Sequence, residues 1–168
     1  MNRLIAAFLA VLLMFYTPIL YFAQKQDAIT QSYVSQETTK LVNAIKNNGY
    51  LTDSMYDAYL DKLDNTGNLY QVKIVHEHEI VAPIYDEAGD FQNDVSIHYT
   101  NVYEEDILKE IYEKSGMYTF DQEDYITVKV NNRTKTYASK LQQLLFQRDI
   151  PGDQIFFTYG GMIRDENY

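Results

Sequence analysis

Twenty residues without a charge, Leu4 to Ala23 (LIAAFLAVLLMFYTPILYFA), set the strongest limit on what this chain can become. As a helix rising ~1.5 Å per residue such a run reaches ~30 Å, the thickness of a bilayer's hydrocarbon core. The run predicts one membrane-spanning helix. The next stretch, QKQDAITQSYVSQETTKLVNAIKNN, is polar but contains neither Gly nor Pro, and the first glycine of the chain is Gly49. The helix is therefore expected to leave the membrane and continue in water until Gly49 ends it, with Pro18 as its one internal breaker. A signal peptide cleaved near Ala23 is the rival reading. The small residue expected two positions before such a cut is Tyr21 here, which disfavours it.

The remainder is long enough for one compact domain and short for two. Division at residue 25 gives a transmembrane helix, 1–25, and an extracytoplasmic α+β domain, 26–168. The second part carries all 24 Asp and Glu and 12 of the 14 Lys and Arg, a formal charge of −12. Such a surface repels nucleic acid. Arg3 on one flank and the lack of a basic loop in the domain predict the amino terminus inside and the domain outside, at the cell membrane. Cysteine is absent, which excludes disulfides and thiolate metal sites. The 16 tyrosines suit the boundary of a small core.

Beyond the membrane run, Val34, Leu41, Val42 and Ile45 form a helical stripe. Thr52 or Asp53 then caps a second helix with Met55, Tyr56, Tyr59, Leu60 and Leu63 inward, ended by Asn65 to Gly67. These two helices predict a helical hairpin over 28–66, with sheet and helices over 68–168. From Leu69 to Val81 the period changes to two, with Tyr70, Val72, Ile74 and Ile80 on one side of a strand that Pro83 closes or confines to an edge. Val95 to Tyr99 is read as an arm that pairs back. A helix is expected from about Tyr103 to Lys114, with Ile107, Leu108, Ile111 and Tyr112 inward and a stop at Gly116. A strand carrying Ile126, Val128 and Val130 follows it. A short amphipathic helix marked by Tyr137, Leu141, Leu144 and Leu145 comes next, then a strand with Ile155, Phe157 and Tyr159 that breaks at Gly160-Gly161. The sum is an α+β fold with a mostly antiparallel sheet of three to four strands.

The sharpest local motif is His76-Glu77-His78-Glu79. On a strand the two histidines fall on one face ~7 Å apart, close enough to share a metal, with His98 as a conceivable third ligand. Alternating charges at a strand end are more often a solvated face, and the spacing matches no zinc signature. Asp86, Glu87, Asp90 and Asp94 occupy a loop that does not match an EF-hand but leaves weak calcium binding open. Glu104, Glu105 and Asp106 suit the first turn of a helix, and Asp121, Glu123 and Asp124 precede a strand. Asn132-Arg133-Thr134 fits a glycosylation sequon, a common pattern. No nucleophile and base can be paired and no phosphate loop is readable, so no catalytic residue, cofactor or metal ligand is assigned.

The membrane helix, GYLTDSMYDAYLDKLDNTGNLYQVKIVHEH, DYITVKV and the terminal FFTYGGMIRDENY together resemble small Gram-positive proteins of tight-adherence (Flp-type) pilus or type II/IV secretion-like loci. They are similar to TadE-type pseudopilins. The resemblance implies a non-enzymatic, membrane-anchored assembly component, with other pilin-like or secretion-assembly proteins as partners and homo- or hetero-oligomers formed through the N-terminal helix. Only Met-Asn-Arg precedes the apolar run, and no acidic residue occurs before Asp27, where a processed pilin carries a Glu early in its helix. A minor, membrane-retained component is therefore the expected type. The alternative is a membrane-tethered module that binds a ligand or metal through His76, His78 and the acidic loop.

Overall fold

The computed structural model describes residues 2–85, 91–147 and 155–164. Helix α1 (Asn2–Asn48) is one unbroken helix of 47 residues that continues through Pro18. There the proline removes one backbone hydrogen bond, and the neighbouring Thr17 hydroxyl donates to the Leu13 carbonyl at 2.8 Å. Gly49 ends the helix as expected, with φ of 73° and its N–H on the Ile45 carbonyl at 2.8 Å. Two regimes divide α1. Its apolar first half is exposed except for the half-buried Tyr16, Leu20 and Ala23, whereas Val34, Leu41, Val42 and Ile45 in the second half are buried.

The connection to α2 (Asp53–Asp64) is more than a turn. It contains β1 (Tyr50–Thr52), which pairs antiparallel with β4 (Met117–Thr119). Three-residue strands carry too few residues to show a period, and their hydrogen bonds depend on a distant partner. Thr52 caps α2, accepting from the Met55 N–H at 3.2 Å, and Tyr56, Tyr59 and Leu63 are its buried residues. α2 runs back along α1. Glu37 is buried and bonded to Lys40 at 2.6 Å and Lys62 at 2.9 Å, while the Thr38 and Tyr59 hydroxyls meet at 2.8 Å. The Lys40 contact, aided by Lys62 and opposed by burial, holds the Glu37 carboxyl below its usual range.

A four-stranded antiparallel sheet has the order β3-β2-β5-β6, built from β2 (Tyr70–Tyr85), β3 (Phe91–Tyr103), β5 (Tyr125–Asn132) and β6 (Phe156–Met162). Val72, Ile74 and His76 of β2 lie beside Val130, Val128 and Ile126 of β5, which lie beside Phe157, Tyr159 and Gly161 of β6. This row faces the spine. Tyr159 donates to Asn43 at 3.4 Å and its ring lies under the Lys46 ammonium. Of the two outcomes expected of Pro83, closing β2 or lying at an edge, the second holds. The pairing with β5 ends at Glu77, so Pro83 falls where β2 pairs with β3 alone, and its missing N–H breaks no second ladder.

Two expectations are corrected. The helix expected from Tyr103 is α3 (Glu104–Glu110) followed by a π turn (Ile111–Ser115), stopped by Gly116 in the left-handed region at φ 72°. Ile107 and Ile111 are buried as expected, but Tyr112 is exposed and donates to Asp57. β6 does not break at Gly160-Gly161 and runs through both. A Cβ at Gly160 would stand 2.6 Å from the Ile126 carbonyl oxygen, so the glycine lets two strands close where any side chain would part them. Helix α4 (Tyr137–Phe146) forms as expected; Ala138 and Ser139 are buried and Leu141 half-buried, whereas Tyr137, Leu144 and Leu145 are exposed.

Candidate functional site

His76 continues the apolar row of Val72 and Ile74, so the register of β2 drives an imidazole into the core. A buried polar ring must find partners there. It finds two. Its Nδ1 lies 2.8 Å from the Tyr118 hydroxyl and its Nε2 lies 2.7 Å from Asp124 Oδ2. Phe120 covers it edge-on, with ring centroids 4.8 Å apart. His78, one pleat further along the same face, reaches the other carboxylate oxygen of Asp124 through Nδ1 at 2.8 Å.

Asp124 is the hub. Its side chain is 2 % exposed, and besides the two imidazoles it accepts the backbone N–H of Asp121 at 2.9 Å and of Glu79 at 3.2 Å. Burial works to raise its carboxyl, but these four hydrogen bonds, His76 foremost, hold it below the usual carboxylate value. An ionised carboxylate only accepts, so His76 Nε2 and His78 Nδ1 carry the protons they share with Asp124. Burial first, and then the Asp124 charge, push the Tyr118 phenol up to about 12, so it keeps its proton at physiological pH.

One ligand atom each from His76, His78 and Asp124 lie within 4.8 Å of one another. A divalent ion fits that donor set, two imidazoles and a carboxylate with an open fourth position. It would have to displace the two ring protons now shared with Asp124. Without an ion the cluster is already satisfied, since no buried side-chain nitrogen or oxygen among the described residues lacks a partner.

The structure therefore brings His76 and His78 together, as their spacing predicts, but supplies a different third member. His98 is exposed on β3 opposite Ile80 and is not one of the converging groups. Asp124, read in the sequence as one of several acids preceding a strand, takes its place. Asp86, Glu87 and Asp90 of the calcium reading lie outside the described residues, as does the side chain of Asp94. Glu104, Glu105 and Asp106 do occupy the first turn of α3, where Glu104 accepts from the Tyr56 hydroxyl at 3.4 Å. The sequon asparagine is tied inward: Asn132 donates through its amide to the Thr134 carbonyl at 2.7 Å and accepts from the Ile155 N–H at 3.1 Å.

No protein-family model, curated protein or solved structure matches this chain.

Proposed function

We propose that the chain is a membrane-anchored, non-enzymatic subunit of a pilus- or secretion-type assembly, in which the first half of α1 packs against other apolar helices and the acidic domain meets partners outside the membrane. The observation that carries this reading is the division of labour along α1. Its first half is long and apolar enough to cross a membrane, and most of its residues are exposed. Its second half is the buried spine of a domain with an antiparallel sheet. A rigid helix that enters a domain as its core transmits force and position between membrane and domain, which a flexible tether does not. The His76–Asp124–His78 cluster has a structural role in this reading, locking the β2 end of the sheet to the turn before β5.

Photo-crosslinking residues placed at Phe8 and Leu13 in the full chain, in native membranes, test the assembly. Adducts with proteins that carry apolar N-terminal helices are expected. A chain that stays monomeric from both positions overturns the reading.

The convergence of three ligand atoms favours a second reading, a divalent-metal module on the same anchor. Titration of the full chain in detergent with zinc should then show heat that varies with the ionisation enthalpy of the buffer, because binding releases ring protons, and affinity that falls with pH. Replacement of His78 by Ala should abolish the heat. No heat at millimolar zinc removes this reading and leaves the cluster structural.

A further inference from the structure

Helix α4 turns its apolar residues the wrong way for a domain surrounded by water. Leu144 is 77 % and Phe146 56 % exposed, with Tyr137 and Leu145 also outward, while the polar Gln142 and Gln143 are half-buried. Two hydrogen bonds fix where this helix lies. The Ala138 N–H donates to Asp27 Oδ2 at 3.3 Å, and the Tyr16 hydroxyl donates to the Leu141 carbonyl at 3.1 Å. α4 thus descends α1 from Asp27 toward Tyr16, antiparallel to it. On this part of α1 the shaded residues, Tyr16, Leu20, Ala23 and Asp27, recur at helical spacing, as a covering helix requires.

Tyr16 lies seven residues before the end of the apolar run, roughly 10 Å along the helix axis. A hydrocarbon layer that stopped short of it would leave only residues 4–15, about 18 Å of helix, far less than the ~30 Å a bilayer needs. Any membrane that α1 spans therefore reaches the level of α4. The composition of α4 agrees. YASKLQQLLF contains no acid and one lysine, in a domain whose surface is otherwise strongly acidic. A helix satisfies its own backbone in lipid, Tyr137 is of the type that settles at the headgroup boundary, and the Lys140 side chain, its ammonium near the Tyr137 ring, is long enough to reach it.

We propose that α4 is a second membrane element, dipping Leu144, Leu145 and Phe146 into the acyl chains of the outer leaflet beside α1. This rests on the reading of residues 4–23 as a membrane span and deepens it. The domain is held at two points, which fixes its height and its rotation about α1. The side of α1 under α4 is closed to partner helices, so lateral packing uses the remaining faces.

The chain has no cysteine, so single-site spin labels report cleanly. Leu144→Cys, Phe15→Cys and Tyr99→Cys variants of the full chain, labelled with a nitroxide and reconstituted into phosphatidylcholine vesicles, are compared for collision with oxygen and with a water-soluble nickel chelate. All three positions are exposed, so the labels leave packing intact. The labels at 144 and 15 are expected to favour oxygen and to be shielded from nickel severalfold relative to 99. A label at 144 as open to nickel as that at 99, with 15 shielded, overturns the proposal and leaves the span standing. A label at 15 as open to nickel as that at 99 overturns the span and the proposal with it.

Discussion

Replacement of Asp124 by alanine is expected to destabilise the domain by about 3–5 kcal/mol, because one truncation strands four donors at once. The His76 ring, the His78 ring and the N–H groups of Asp121 and Glu79 all lose their acceptor, and the first of them is buried. Asparagine keeps the shape and one acceptor oxygen but loses the charge, so about half of that loss is expected for Asp124→Asn. Urea denaturation of the full chain in detergent, followed by circular dichroism at pH 7, measures both. The pH dependence has a defined sign. The Asp124 carboxyl is lowered in the folded protein, so its contribution is complete above the unfolded value of about 4 and is lost as pH falls through the lower folded value. The gap between the native chain and Asp124→Asn should therefore shrink as pH falls below about 4. A gap unchanged at pH 3, or an alanine variant as stable as the native chain, would show that the carboxylate is not the hub.

The elements legible in the sequence are those whose cause is local. Gly49 stops α1 through its own left-handed φ, Thr52 caps α2 through a bond to a residue three positions on, and Ile126, Val128 and Val130 announce β5 by alternation. What escaped was decided by distant partners. The β1–β4 pair joins segments too short to show a period. The orientation of α4 follows from a docking site on α1 more than a hundred residues away in sequence, where the Asp27 carboxylate holds the Ala138 N–H. An amphipathic helix shows only that one face differs from the other, and burial of Ala138 and Ser139 in place of Leu144 and Leu145 reverses the usual reading of that difference. The candidate site was half legible. Alternation from Val72 and Ile74 puts His76 and His78 on the buried side, and a histidine in an apolar row signals a missing partner. That partner stands 48 residues beyond His76. Only the antiparallel register, Glu77 opposite Tyr125, places the residue before Tyr125 beside the two rings. With that pairing in hand, Asp124 is distinguished from Asp121 and Glu123 by position, since composition makes the three alike.

Ile45→Ala is the complementary perturbation, and α1 supplies its own controls. Three isoleucines on this one helix occupy three environments: Ile19 in the apolar run is 53 % exposed, Ile29 at the start of the spine is 55 % exposed, and Ile45 is fully buried. Truncation at Ile45 removes transferred apolar surface and leaves a cavity in the core, for a loss of about 3–4 kcal/mol. A domain of this size has about 5–15 kcal/mol in all, so that loss is a large part of the whole. Ile29→Ala should change stability by less than about 0.5 kcal/mol. Ile19→Ala should leave the denaturation midpoint of the domain alone, since its side chain is no part of the core. The same urea titration ranks all three, and limited proteolysis of membranes gives an independent readout. The Ile45 variant should remain in the membrane fraction while its domain becomes sensitive to protease, because in the proposed function anchoring and folding use different halves of α1. Equal effects at Ile45 and Ile29 would sink this division, since the spine would then contribute nothing to the core that its exposed flank does not.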